Sequence, residues 1–262
     1  MISSTWMPIV LAGVFGALIG SFLNVVIYRL PRAISVVGGR SKCPHCRETI
    51  RWFDNVPVAS WLLLGGKCRR CGWKIPARYP FVELSSGLSA TVAVWHFGPT
   101  LQAGWVYAFL AIMIAITFID WEHQIIPDPL SIGGTVLGFI GAWVCLDVSV
   151  LESLMGAAVG AGVILAIAFT YKVARKVDGM GGGDVKLMAM IGAFLGWQMV
   201  FAVLFVAAAA GSVYGVWLMR RAGGNRQTAV AFGSFLAPAA CLMLFTGGRL
   251  LSLYLGTFSP PR

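Results

Sequence analysis

Two aspartates and four cysteines carry the chemistry in this chain. Asp120 closes the apolar run Ile114-Ala-Ile-Thr-Phe-Ile, and Asp184 follows Gly181-Gly182-Gly183 and opens another apolar run. Carboxylates at the edge of membrane-like segments are costly to place there and are functional candidates for that reason. Two such groups that meet share one proton, because two close like charges cannot both ionise. The pair then titrates as a unit. One member takes a proton from a water that attacks an amide carbonyl while the other gives a proton to the carbonyl oxygen. The chemistry expected of Asp120 and Asp184 is therefore acid–base hydrolysis of a peptide bond.

The surrounding residues refine this expectation. Asp184 reads as the start of a helix, which welcomes negative charge, and Asp120 as the end of one, which does not. The resting proton is accordingly expected on Asp120, with Asp184 as the base. Taken alone, Asp184 reads equally well as a helix N-cap, and Pro127-Asp128-Pro129 as a turn entering a helix. Gly181, Gly182 and Gly183 permit another backbone to come close, so they are expected to admit an extended substrate beside Asp184. Lys186 is expected either to tune the pair or meet an acidic substrate group, or else to be an interfacial lysine that snorkels.

The cysteines form a second constellation. Cys43-Pro-His-Cys46 and Cys68-Arg-Arg-Cys71 have the spacing C-x2-C-x21-C-x2-C. Each pair suits a tight knuckle, and two knuckles together offer four thiolates in the tetrahedron of a closed structural zinc site. Such a site has no open position for a substrate, so the metal is expected to fold its segment and do no chemistry. Two disulfides are the competing reading, disfavoured on the cytoplasmic side of a membrane. Cys145 and Cys241 lie in apolar runs and read as core packing.

These residues are positioned by a chain that is 58% hydrophobic and 11% charged, against roughly 25% charged in soluble domains. The mean hydropathy is +0.81. The fold class expected is an all-α polytopic membrane protein with about eight transmembrane helices, at 8–28, 81–97, 103–119, 129–147, 152–172, 185–196, 199–219 and 230–255. The sixth run is short for a bilayer core of about 30 Å. The expected organisation is a first transmembrane helix over 1–31, a small zinc-binding insert over 32–80, and a helical bundle over 81–262 that carries the aspartates. With this count, 18 of the 20 Lys and Arg residues fall on one face. The positive-inside rule makes that face cytoplasmic, with the insert and both aspartates on it and both termini outside. The formal charge of +10 is then a membrane-topology signal and an attraction for lipid headgroups, and no nucleic-acid partner is expected.

At this point the chain resembles the bacterial prepilin peptidases, the type IV leader peptidase family of G-x-G-D intramembrane aspartic proteases. The resemblance rests on Gly20-Ser-Phe-Leu-Asn-Val-Val-Ile-Tyr-Arg-Leu-Pro31, the two cysteine pairs, Asn55-Val-Pro-Val-Ala-Ser-Trp61, Arg78-Tyr-Pro-Phe-Val-Glu-Leu84, Asp120 with Ile126-Pro-Asp128, and Gly181-Gly-Gly-Asp-Val-Lys-Leu187. It implies an enzyme of the bacterial inner membrane that cuts the leader from type IV prepilins or type II secretion pseudopilins. It also implies that Asp120 and Asp184 are the catalytic pair. Members with the cysteine loop often N-methylate the new N-terminus with S-adenosylmethionine. Asn24 and Glu83 are the residues singled out as candidates for binding that methyl donor. Members often carry Pro-Phe-Gly-Pro before the last span, where this chain has Ala231-Phe-Gly-Ser234. That change is expected to alter loop rigidity without touching the aspartates. A proton-coupled transporter using Asp120 and Asp184 as a relay is the alternative class. It calls for carboxylates near the bilayer middle and for repeats with broken helices, and neither is seen in the sequence.

Overall fold

The computed structural model describes residues 3–176, 181–222 and 231–257. Arg226 and Arg262, counted among the 20 Lys and Arg residues, and residue 230, where the last expected run begins, lie outside them. Among the described residues the chain is helical, with no strand beyond two isolated antiparallel bridges. The helices are α1 (Ser3–Arg29), α2 (Ala59–Leu63), α3 (Arg78–Phe97), α4 (Leu101–His123), α5 (Asp128–Val144), α6 (Val150–Arg175), α7 (Gly182–Leu195), α8 (Trp197–Ala222) and α9 (Gly233–Thr257). Each of the eight expected helical runs is a helix, and α2 is a short addition inside the insert. Four segments are long and apolar enough to cross a membrane: Trp6–Arg32, Leu101–His123, Val150–Arg175 and Trp197–Arg221. The Asp128–Val144 and Gly233–Gly248 segments are apolar and shorter.

The chain divides into two compact units, Met1–Ala115 and Ile116–Arg262, with the boundary inside α4. In the first, α1 packs along α3. Small residues let the two backbones approach, as is common between membrane helices. A Cβ at Gly16 would lie 2.6 Å from that of Ala90, and one at Gly20 would lie 2.7 Å from Cα of Glu83. The buried hydroxyl of Ser86 donates to the Gly16 carbonyl at 2.7 Å and lies 2.9 Å from the Tyr107 hydroxyl.

In the second unit α7 is the central helix. It has 14 residues, about 21 Å at 1.5 Å per residue, and packs against α5, α6, α8 and α9. Leu187, Met188, Met190, Ile191 and Ala193 are fully buried. A short helix surrounded by others has no need to match the bilayer by itself, which accounts for the brevity of this apolar run. Against α6 the contact is backbone on backbone: a Cβ at either Gly156 or Gly192 would collide with the carbonyl of the other. Ser153 of α6 donates to the Ala193 carbonyl at 2.6 Å. The first turn of α6 is closed by a reciprocal cap between Ser149 and Glu152, each satisfying an orphan N–H.

These contacts separate two kinds of glycine. Gly192→Ala should destabilise the protein by about 1–3 kcal/mol through overpacking. Gly162→Ala, whose Cβ meets nothing, should stabilise α6 by about 0.5–1 kcal/mol. Thermal unfolding of the two variants in the same detergent checks the contrast, and equal midpoints would refute it.

Candidate active site and metal centre

α4 continues past its expected end at 119 to His123, which places Asp120 inside its last turn. The side chain is 4% exposed. A carboxylate this buried requires donors, and α9 supplies them. Oδ2 of Asp120 accepts from the backbone N–H of Ser234 at 2.7 Å and from the Ser234 hydroxyl at 3.2 Å. The reading of Asp120 as a carboxylate with no favourable helix end is thereby corrected. The end of its own helix does not favour it, but the N-terminus of α9 does. The argument for placing the resting proton on Asp120 loses its premise. The expectation that Ala231-Phe-Gly-Ser234 does not touch the aspartates is corrected too, since this segment is the immediate surroundings of Asp120. The sequence carried a signal for this contact, a Gly-Ser pair at the entry of an apolar helix.

Asp184 stands at the third position of α7, with Gly181 as the N-cap. It is therefore not the N-cap itself. Its N–H donates to the Gly181 carbonyl at 3.1 Å. The structure brings the two carboxylates close enough for the charge of Asp120 to bear on Asp184. Ile126 lies beside both helix starts. A Cβ on Gly183 would sit 3.0 Å from Cβ of Ile126, and one on Gly233 would sit 2.8 Å from its Cδ1 and 2.9 Å from Oδ2 of Asp120. Behind this arrangement, Tyr214 of α8 packs on Trp121 at 5.4 Å and on Phe235 at 5.6 Å between ring centroids. These are the residues next to Asp120 and Ser234.

The glycine run has a different geometry from a left-handed turn. Gly181 is extended, with φ −79° and ψ 148°, and Gly182 and Gly183 belong to the first turn of α7. Gly181 and Gly182 are exposed, and a Cβ at Gly182 would meet nothing within 4 Å. Lys186 reaches Asp128 of α5, Nζ to Oδ1 2.6 Å, with both side chains partly in solvent. Its partner is thus a residue of this chain.

In the first unit the two cysteine pairs form matching knuckles. The Cys43 N–H donates to the Glu48 carbonyl and the Arg47 N–H to that of Cys43. Correspondingly, the Cys68 N–H donates to Trp73 and the Gly72 N–H to Cys68. The residue after each second cysteine, Arg47 or Gly72, has positive φ, the turn that aims both thiols inward. All four Sγ atoms lie within 4.8 Å of one another, and those of Cys43 and Cys71 are 3.9 Å apart. Tetrahedral ligands at a Zn–S distance of about 2.3 Å would be about 3.8 Å apart, so the donor set fits zinc. The N–H of Cys71, more than any other contact, brings the Cys68 thiol down to about 7, while against the Trp73 backbone bond desolvation and the neighbouring thiols push that of Cys71 up to about 11. Arg69, between the second pair, forms a bidentate ion pair with Asp54 at 2.7–3.1 Å. Its guanidinium holds the Asp54 carboxyl below the usual range.

Beside the knuckles is a cavity of about 930 Å³ whose lining includes Asn24, Cys43, Trp61, Cys68, Trp73 and Glu83. Asn24 and Glu83, picked out separately in the sequence, therefore share one cavity. The Asn24 amide donates to the Tyr79 carbonyl at 3.1 Å, while its buried Oδ1 has no partner. Glu83 Oε2 accepts from the N–H of Val58 at 2.7 Å. Val58 has φ 61°, an outlier for a β-branched residue, and the bond to Glu83 holds it there.

Comparison with known proteins places this arrangement. Residues 14–97 match the bacterial peptidase A24 N-terminal domain, and residues 107–216 match the type IV leader peptidase family. The prepilin leader peptidase/N-methyltransferase of Stutzerimonas stutzeri is 36% identical over 265 residues, covering 92% of each chain. The proteins of the same name from Pseudomonas aeruginosa and Legionella pneumophila are 35% and 33% identical. They cover 92% and 98% of this chain, and 91% and 97% of their own lengths. The chain belongs to the type IV leader peptidase family. No solved structure matches it. The leader-peptidase match contains both aspartates and ends within α8, so the α9 donors to Asp120 lie beyond it.

Two outcomes follow from this geometry. Gly182→Leu should keep the unfolding midpoint of the parent, because its side chain enters open space, and should lower cleavage of a prepilin peptide by roughly tenfold or more. Loss of folding before loss of cleavage would make the run a structural turn. Cys43→Ser should reduce bound zinc, measured by elemental analysis of the purified protein, from about one equivalent toward none. A parent protein free of zinc would overturn the metal assignment.

Proposed function

We propose that this chain is a membrane aspartic endopeptidase that removes the leader peptide from type IV prepilins or type II secretion pseudopilins. We further propose that it N-methylates the new N-terminus with S-adenosylmethionine. The observation that carries the peptidase reading is that Asp120, in the last turn of α4 against the start of α9, and Asp184, in the first turn of α7, are gathered around Ile126, in a chain of the leader peptidase family. The ionised member of the pair takes a proton from water. The water oxygen bonds to the scissile carbonyl carbon, and the protonated member gives its proton to the carbonyl oxygen. As the tetrahedral intermediate collapses, the C–N bond breaks and the departing amine receives a proton, which restores the shared-proton state. The exposed edge at Gly181 and Gly182 gives an extended leader access to Asp184, and the Lys186–Asp128 pair flanks that edge.

The family implies a methyl donor and a metal, and the first unit has residues that suit both. When bound, S-adenosylmethionine supplies an electrophilic methyl group to the new amine. The cavity volume lies in the usual range for cofactor sites, the unpartnered Oδ1 of Asn24 awaits a donor, and Glu83 offers a carboxylate for a cationic group. Cys43, Cys46, Cys68 and Cys71 would hold a structural zinc ion that keeps the knuckles together. We place the insert and the aspartates on the cytoplasmic side of the bacterial inner membrane, with eight spans and both termini outside, on the distribution of Lys and Arg. The three-part organisation 1–31, 32–80 and 81–262 goes with that topology. Membrane lipids are partners in this reading. The transporter alternative is not supported: its carboxylates would lie at mid-helix, whereas these lie at helix ends.

Asp120→Asn and Asp184→Asn should each reduce prepilin cleavage by on the order of 10³-fold while methylation of a pre-cleaved substrate continues. Glu83→Gln should do the reverse. Mass spectrometry of the substrate separates the two products. Cleavage retained in either aspartate variant would sink the peptidase reading.

A further inference from the structure

The contact between Asp120 and the start of α9 has a specific internal logic. Oδ2 of Asp120 accepts two hydrogen bonds from one residue, the backbone N–H and the hydroxyl of Ser234. The same hydroxyl also lies 3.2 Å from the Thr117 carbonyl. Thr117 and Asp120 are three residues apart and share one face of α4, so Ser234 spans the last turn of that helix. Ser234 is 6% exposed, and water does not compete at this point. Gly233 makes the approach possible, since any side chain there would press on Oδ2 of Asp120 and on Ile126. Tyr214, packed on Trp121 and Phe235, fixes the two segments from behind.

A carboxylate oxygen has about two lone-pair sites. With an N–H and an O–H directed at it, Oδ2 has none left for a proton. An acid hydrogen on Oδ2 would also point at donors already present. The carboxylate plane is fixed by the same two bonds, which fixes the direction of the other oxygen.

We propose that Ser234 is the positioning residue of the peptidase site: it occupies Oδ2 of Asp120 through two donors and so makes Oδ1 the only oxygen of Asp120 that exchanges protons with water, substrate or Asp184. This rests on the peptidase reading above. The dyad proton in the resting enzyme then sits on Oδ1 of Asp120 or on Asp184, never on Oδ2. During the reaction Oδ2 keeps its two donors throughout, and Oδ1 makes and loses the O–H bond. The backbone donor is available because residue 234 is not proline, which has no N–H.

The test is a series at one position in the full-length protein, with cleavage of a synthetic prepilin followed as kcat and KM separately. Ser234→Ala removes one donor and should lower kcat about tenfold, the scale of one hydrogen bond to a charged group, with KM unchanged within about twofold. Ser234→Thr restores the hydroxyl and should return kcat to within about threefold of the parent. Methylation of a pre-cleaved substrate by the same preparations checks that each variant is folded. A parental kcat in Ser234→Ala would overturn the proposal. So would a change confined to KM, or a threonine variant as slow as alanine. Asp120→Asn, assayed alongside, distinguishes the two levels. If it cleaves normally, the peptidase reading itself has failed. If it is inactive while Ser234→Ala is unaffected, only the role of Ser234 is lost.

Discussion

A carboxylate buried in an apolar helical bundle is unfavourable unless hydrogen-bond donors meet it, and that requirement organises the second unit. Asp120 needs donors, and the nearest fixed set is the N-terminus of a helix, where N–H groups lack partners of their own. Bringing α9 that close requires glycine at 233 and a braced approach, which Ile126 and the Tyr214 ring cluster provide. Asp184 sits at a helix start as well, in the first turn of α7 behind the N-cap Gly181. Two helix starts, each holding one carboxylate, give a pair whose geometry is set by backbone more than by side-chain rotamers. The central helix that carries Asp184 is locked in turn by the contact of Gly156 with Gly192, so it cannot slide without a backbone clash.

The first unit meets the opposite difficulty. Its insert has few buried apolar side chains, and small segments of this kind rarely hold themselves together by burial alone. Two turns with a shared hydrogen-bond pattern place four thiols within reach of one ion, and the Asp54–Arg69 pair ties the intervening loop to the second turn. Glu83 then serves two purposes. It lines the cavity, and through the Val58 N–H it keeps the entry to α2 in a conformation the chain would otherwise avoid.

Much of this was legible in the sequence, and the misses share one physical cause. Helical runs were readable because apolar length is a local property, and the cysteine knuckles because their spacing is. Asp120 and Asp184 stood out because charge at the edge of an apolar run is locally anomalous. The partner of each carboxylate was not readable. Asp120 is 114 residues from Ser234 in sequence, and nothing local announces that pairing. Judging Asp120 by the dipole of its own helix was therefore wrong about its environment. The partner of Lys186 was unreadable for the same reason: Asp128 is 58 residues away. Asn24 and Glu83 were recognised singly, and only the close packing of α1 on α3 puts them in one cavity.

Cys43 and Cys68 belong to both the metal cluster and the cavity wall. A ligand filling the cavity and an ion held by the thiolates therefore act on the same few turns of backbone. Their binding equilibria would then be linked, and by reciprocity each would strengthen or weaken the other by the same factor.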